Sequence, residues 1–291
     1  FWVARMILMS TALVGEVPFR TVYLHGLVRD KDGHKMSKSR PETAIDPLDM
    51  VEKYGADAVR LSLVIGSTPG NDVRLWEDKI ASYRNFVNKL FNIARFISLT
   101  VGELREVKLP PRPKTLADRW ILAQLHALTK RVTAGLEAYE FSAVGAALEE
   151  FTWNELADWY LEIAKVEGDK DQMLRYLLQQ LLKLWHPFTP FVTEHLWSRF
   201  GAKKPLLVQP WPRARGARRP VKDFDLVSRV VSAVRTLRAQ AKVDPGKRVS
   251  VLLSAGRHAA LLRKQAAVIA ALARRDLTLE RTLAKPSQAT S

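Results

Sequence analysis

A mainly α-helical protein that closes on a small α/β unit is what the 291-residue sequence predicts, and three observations predict it. From Arg74 onward, apolar residues recur at three- and four-residue spacing through long segments, the pattern of helices that each bury one face. Short breakers rich in Pro and Gly separate these segments, as in a helical bundle. After residue 223 the pattern alternates helix, strand, helix and strand. With 47% apolar and 26% charged residues a sizeable core can form. The absence of Cys excludes disulfides, thiolate metal sites and Cys nucleophiles. No 18-residue apolar run predicts a membrane span. The start Phe1-Trp2-Val3 matches no targeting signal, and the chain is expected to be a piece of something longer.

In chain order, residues 1–13 (FWVARMILMSTAL) read as a buried helix, and Thr21–His25 (TVYLH), rich in β-branched and aromatic residues, as a strand. Residues 26–43 hold Gly33 and Pro41 among Asp, Lys, Ser and Arg, cannot bury a face, and read as a surface loop. Short helices follow over 46–54, with Asp46 as cap and Pro47 at the first helical position, and over 56–65 after Gly55. Long helices are expected near 76–98, 116–138, 141–167, 170–186 and 190–200. Phe86, Leu90, Ile93 and Ile97 mark the buried face of the first; Phe151, Trp153, Trp159 and Tyr160 crowd the third and read as core. Pro110, Pro111 and Pro113 make a stiff link, and His186-Pro187 with Thr189-Pro190 a sharp corner. A basic connector spans 201–222; helix 223–241, strand 247–254, helix 258–274 and a strand-like stretch 276–280 complete the chain.

Charge is distributed unevenly. Residues 201–291 carry 20 Lys and Arg against 5 Asp and Glu, so +15 of the +16 formal charge sits in the last third. Such a field favours a polyanionic partner, with a merely solubilising basic surface as the alternative.

Within the first loop, Lys35-Met36-Ser37-Lys38-Ser39 sets two ammonium groups three residues apart with hydroxyls between and after them. Lysines as flexible point charges, with Ser hydroxyls and backbone N–H groups beside them, suit a polyphosphate. Composition alone also fits a solvated basic loop or a phosphorylation site.

That loop does not stand alone. The strings VYLHGLVRDKDGHKMSKS (22–39), DPLDMVEKYGADAVR (46–60) and GNDVRLWEDKIASYRNFVNKL (70–90) resemble class I aminoacyl-tRNA synthetases of the valine, isoleucine and leucine branch. FWVARM (1–6), DRW (118–120), Trp153-Asn154-Glu155, DWYLE (158–162) and His186-Pro187-Phe188 are most similar to its valine-specific members. One departure stands out: Arg40-Pro41-Glu42-Thr43-Ala44 replaces the usual Lys-Gly-Asn-like turn and is one residue longer, which bears on how the loop closes.

The resemblance implies the end of a Rossmann-like catalytic core over 1–66, an anticodon-binding helical bundle over 67–200, the connector 201–222 and the small basic α/β unit 223–291. It implies ATP-dependent activation of valine, transfer to its tRNA, ATP and Mg²⁺ as cofactors, and a cytoplasmic, monomeric enzyme with no membrane partner. An isoleucine or leucine enzyme, or a tRNA-binding module without catalysis, is the alternative. Lys38 and then Lys35 would stabilise the departing pyrophosphate, with Met36, Ser37 and Ser39 in the same ATP-binding loop. His25 and Gly26 would line the adenosine side, a structural role for His25 being equally consistent, and Trp2 would wall the amino-acid pocket or pack in the core. Arg84, Asn88, Arg95 and Phe96 are candidates for the anticodon, and Arg235 and Arg238, with Lys242 continuing their stripe, for the tRNA backbone. No carboxylate cage for a metal is evident, and the signature that meets the phosphates from the other side would lie upstream, so the isolated chain is expected to be inactive.

Overall fold

A computed structural model describes residues 1–36, 45–214, 221–243, 250–273 and 276–280. It divides into two units, Phe1–Phe86 with Ala134–Gly145, and Val87–Thr133 with Ala146–Ser291.

The first unit begins with helix α1 (Trp2–Val14), which ends on Gly15 in the left-handed conformation at φ 77°. The helix is there as its periodicity predicts, but none of its residues is buried. Periodicity reports that a helix has an apolar face; it does not supply the surface that covers it. Strand β1 (Val28–Arg29) pairs in parallel with β2 (Val73–Arg74), so the strand expected at 21–25 lies later in the chain. Between them, α2 (Pro47–Tyr54) and α3 (Ala56–Val64) make the crossover that parallel pairing requires. Asp46 caps α2 by accepting the Leu48 N–H at 2.8 Å, with Pro47 at the first position. Ala58, Val59, Leu75 and Ile80 form the local core, and Met36, Ile45, Met50, Tyr54 and Tyr83 pack on it.

The second unit is helical. It holds most of α4 (Glu77–Val101) and α5 (Leu116–Glu137), which both cross into the first unit, then α7 (Glu162–Glu167), α8 (Asp171–Trp185) and α9 (Pro190–Ser198). Before α7 come α6 (Phe141–Glu150), whose first turn belongs to the first unit, and a π-helical stretch (Phe151–Leu161). The helix expected to run through 141–167 is therefore three segments. Phe86, Leu90, Ile93 and Ile97 are all buried as their spacing predicts, and Leu174, Leu178, Leu181, Leu182 and Trp185 of α8 are fully enclosed. Of the aromatic crowd, Phe151 and Tyr160 are core, but Trp153 is exposed beneath the Lys89 ammonium, 4.8 Å from its ring centroid.

Asp118 organises the start of α5. Its carboxylate accepts the Lys114 and Thr115 N–H groups while the Thr115 hydroxyl accepts its own N–H at 3.2 Å, a reciprocal cap. The other carboxylate oxygen accepts the Tyr160 hydroxyl and the Lys170 ammonium, each at 2.7 Å. Lys170 also lies 2.7 Å from Glu167 Oε2 and donates to Thr115 Oγ1 at 3.0 Å.

The basic connector is tied down where it is described: Glu194 accepts the Leu206 N–H at 2.8 Å and Trp211 Nε1 donates to Thr133 Oγ1 at 2.9 Å. Helix α10 (Lys222–Gln240) then leads to β3 (Ser250–Ser254), α11 (Ala259–Lys264), α12 (Ala266–Ala273) and β4 (Asp276–Glu280), with β3 and β4 parallel. Phe224 of α10 stacks on Trp120 with ring centroids 4.2 Å apart.

Glu155, in the π-helical stretch, has its carboxyl pushed up to about 7 from the ordinary 4.5 by burial first and then by the charge of Glu150. The folded state thus holds this proton more tightly than the unfolded one, so the stability it contributes is present at low pH and lost as pH rises toward 7. Glu155→Gln is expected to leave stability unchanged at pH 4.5 and raise it by about 1–2 kcal/mol at pH 8. Urea unfolding at both pH values checks this; an equal change at the two would remove the titration from the explanation.

Candidate functional site

The site predicted around the Lys-rich loop is built on the strand pair of the first unit. Residues 24–29 run beside 70–75, with Gly70 N–H donating to Leu24 O at 2.9 Å, Val73 to Leu27 O at 2.8 Å and Leu75 to Arg29 O at 2.8 Å. At Gly26 the two backbones come so close that a Cβ would overlap the Asn71 carbonyl, which gives that glycine a structural reason to be there. Asp72 fixes the register: one oxygen accepts the Leu27 N–H at 2.8 Å and the other pairs with the Arg29 Nε.

Next comes a tight hairpin. Asp30 N–H donates to His34 O at 3.0 Å, Gly33 N–H to Asp30 O at 3.1 Å, and Gly33 takes φ 90°, which favours glycine. The Asp30 carboxylate accepts the N–H groups of Asp32 at 3.0 Å and His34 at 2.8 Å. Burial opposes its charge, but these donors and the His34 ring outweigh burial and hold it below the usual carboxylate range. Asp72 is likewise held low, first by its bond to Arg29. The hairpin sets Lys35 opposite Arg29 in an antiparallel bridge, with the Lys35 side chain exposed.

Met36 and Ile45 then pack on one apolar cluster, so both flanks of segment 37–44 are held by the same core. Ser37, Lys38 and Ser39 lie outside the described residues, as does the departure at Arg40–Ala44.

His25 is exposed, its Nδ1 2.8 Å from the Gly26 carbonyl oxygen. Trp2 is 70% exposed on α1 with the Arg5 guanidinium 5.0 Å from its ring centroid, and it does not pack in the core of the described residues. Asp30, Asp32 and His34 bring potential ligand atoms within 4.8 Å of one another. This donor set does not fit Mg²⁺, because an imidazole is a poor ligand for a hard cation and the Asp30 carboxylate is engaged by its own turn.

On α4, Arg84, Asn88 and Arg95 are exposed, as contact with a partner needs. Phe96 is half-buried and has the Lys165 ammonium 5.1 Å from its ring centroid. The stripe expected from Arg235 and Arg238 divides, Arg235 being exposed and Arg238 buried. Arg235 donates to Leu272 O at 3.0 and 3.1 Å and lies 5.2 Å from the Trp159 ring centroid. Arg238 is only 9% exposed and donates to Ala273 O at 3.2 Å. Both guanidinium groups thus cap the last carbonyls of α12, where a cation meets the negative end of the helix. Lys242 remains exposed at the end of α10.

The sequence reading passed over Arg29, Asp72 and Arg74. No local signal marks them: the dipeptide Val-Arg stands at 28–29 and 73–74 on the paired strands, but also at 59–60 and 234–235 inside helices.

Residues 1–76 match the family described as tRNA synthetases class I (I, L, M and V), and residues 118–253 match the anticodon-binding domain of tRNA ligase. A valine–tRNA ligase of Carboxydothermus hydrogenoformans is 40% identical over 290 residues, covering 95% of this chain and 33% of the relative. That of Geobacter sulfurreducens is 38% identical over 313 residues, covering 99% and 35%. The chain therefore spans about a third of the length of these relatives. Among solved structures, the LeuRS of a LeuRS-tRNA-LeuAMS ternary complex from Agrobacterium radiobacter K84 aligns with a TM-score of 0.62 and 26% identity, over 72% of this chain and 26% of that one. A Mycobacterium tuberculosis methionyl-tRNA synthetase bound by methionyl-adenylate, 21% identical with a TM-score of 0.50 over 72% of this chain and 46% of that one, shares the fold. Two family descriptions in chain order, and valine–tRNA ligases that match it almost from end to end, show that the chain belongs to the class I aminoacyl-tRNA synthetases.

Proposed function

We propose that this chain supplies the phosphate-gripping loop and the anticodon-recognising bundle of a valine–tRNA ligase. One observation carries the reading: a rigid hairpin delivers Lys35 to the surface, and Met36 and Ile45 hold both flanks of the Lys- and Ser-rich segment on one core. In the reaction, a valine carboxylate oxygen attacks the α-phosphorus of ATP, the bond to the bridging oxygen breaks, and pyrophosphate leaves with the electron pair. A terminal ribose hydroxyl of the tRNA then takes the valyl group from the adenylate. Negative charge grows on the leaving group, so cations held beside it stabilise the transition state more than the ground state. Lys38 and Lys35 are assigned that role, with Ser37 and Ser39 as donors. Any Mg²⁺ that accompanies ATP would be held by the nucleotide's phosphates and water, since the Asp30, Asp32 and His34 group does not suit it.

The same division of labour assigns 1–66 to the core, 67–200 to the bundle, 201–222 to the connector and 223–291 to the α/β unit. Arg84, Asn88 and Arg95, all exposed on α4, are the candidate contacts to valine tRNA. No described helix is long and apolar enough to cross a membrane; that the enzyme is monomeric and cytoplasmic is inferred from the family likeness alone.

The test is a chimaera in which this chain replaces the matching third of the Carboxydothermus hydrogenoformans relative. Valine-dependent ATP–pyrophosphate exchange and charging of valine tRNA are expected. A folded chimaera that exchanges with isoleucine or leucine in place of valine, or that neither exchanges nor binds tRNA, overturns the proposal.

A further inference from the structure

Three cations stand in a row beside the loop. Arg29 is the register partner of Arg74 on one side and of Lys35 on the other, so the three side chains leave one face of adjacent backbone segments. Like charges placed directly across strands repel, and the nearby carboxylates neutralise only the middle one, Arg29. Asp72 pairs with Arg29, whose Nη1 also donates to Gly33 O at 3.2 Å. Asp30 is engaged by the N–H groups of its own turn, and Asp32 gathers with Asp30 and His34. Among the described residues no carboxylate forms an ion pair with Arg74 or Lys35, and both are exposed. The Arg74 guanidinium lies along the hairpin, its Nη2 3.5 Å from where a Cβ of Gly33 would stand.

Resting on the reading of the loop given above, we propose that Arg74 is a phosphate-binding residue of the same site, completing with Lys35 a cationic row that grips the pyrophosphate portion of ATP. Arg74 and Lys35 leave backbones two strand spacings apart, about 10 Å, with long side chains that can converge, which suits an anion whose charge is spread over successive phosphoryl groups. The planar guanidinium offers two parallel N–H donors to phosphate oxygens, whereas Lys35 contributes a point charge. Gly33 makes the turn with its φ of 90°, and the Arg74 guanidinium runs past it at ordinary contact distance. Phosphates of a tRNA backbone would satisfy the same chemistry, and the measurement separates the two sources.

In the chimaera, Arg74→Ala is expected to raise the KM for ATP and for pyrophosphate in exchange assays without tRNA by about tenfold, the loss of one charge-assisted contact. The KM values for valine and for tRNA should stay within about twofold. Arg74→Lys should recover most of the loss, because it keeps the charge and forgoes only the fork. Arg199→Ala, at the far end of α9, serves as a neutral control. Equal damage from Arg74→Ala and Arg74→Lys, or a rise in the KM for valine alongside that for ATP, would give Arg74 a structural role and overturn the proposal. A raised KM for tRNA with normal exchange overturns it in favour of the tRNA backbone. If Lys38→Ala slows exchange while Arg74→Ala leaves it at the parental level, this inference alone fails; if neither slows it, the reading of the loop fails as well.

Discussion

Asp118→Ala is expected to destabilise the second unit by about 3–5 kcal/mol, the cost of breaking a buried ion pair by removing one partner. Asp118 is 2% exposed, and its carboxylate meets four donors: the Lys114 and Thr115 N–H groups, the Tyr160 hydroxyl and the Lys170 ammonium. Burial alone would raise its pKa, yet the bonds from Lys170 and Tyr160 prevail and hold the carboxyl below its ordinary 3.8. Because the folded value is the lower one, this contribution is present above pH 3.8 and is lost as pH falls through the folded value.

Removing the carboxylate leaves Lys170 with Glu167 and the Thr115 hydroxyl, takes the acceptor from the Tyr160 hydroxyl and removes the Lys114 and Thr115 N–H bonds from the cap of α5. Thr115→Ala separates the last of these effects and should cost about 1 kcal/mol. The pair Asp118→Leu and Lys170→Met should cost less than the sum of the single changes, because the Asp118 and Lys170 charges then leave together, while Glu167 loses its ammonium in the double change as in Lys170→Met alone. Chemical unfolding of the five variants checks the pattern. A loss for Asp118→Ala no greater than that for Thr115→Ala would reduce the cluster to a helix cap.

This cluster also shows what the sequence could and could not disclose. The strings at 118–120 and 158–162 were legible as a family likeness, but their physical reason appears only when the fold brings Asp118 to Tyr160 and Lys170 across a separation of 42 and 52 residues. Helical spacing identified the buried face of α4 because 3.6-residue periodicity is a local property. The same logic placed α1 correctly and misjudged its burial, since a covering surface is not encoded in the helix itself. The strand at 21–25 was misplaced because β-branched and aromatic content reports suitability for a sheet. The actual pairing at 28–29 is set by Asp72 gripping Leu27 and Arg29, a contact with a residue more than 40 positions away. Arg238 looked solvent-facing by spacing, yet it is buried against the end of α12, whose position no local pattern reveals, while Arg235 stays exposed and reaches the same helix end.

Lys38→Ala in the chimaera is expected to slow formation of valyl-adenylate by about a hundredfold or more, the loss of one charged contact to a departing group, on the order of 3 kcal/mol. The KM for valine should hardly change, because the lysine is assigned to the pyrophosphate, at the opposite end of the reacting phosphorus from the attacking carboxylate. Lys38 lies outside the described residues; the assignment rests on the Lys-Met-Ser-Lys-Ser string and on the anchoring of both flanks of its segment by Met36 and Ile45. That anchoring offers a second measurement. Met36→Ala removes an apolar anchor without touching a charge, so it should slow the same step less than Lys38→Ala, and the slowing should ease when stabilising solutes restore packing. Lys38→Arg keeps the charge on a different geometry and should fall between the parent and Lys38→Ala. Rapid-quench measurement of adenylate formation distinguishes these cases, because it isolates the chemical step from product release. A parental rate for Lys38→Ala would move the catalytic cations elsewhere, whereas equal slowing by Met36→Ala and Lys38→Ala would show that the segment acts through its position and that the second ammonium carries no separate part of the transition-state charge.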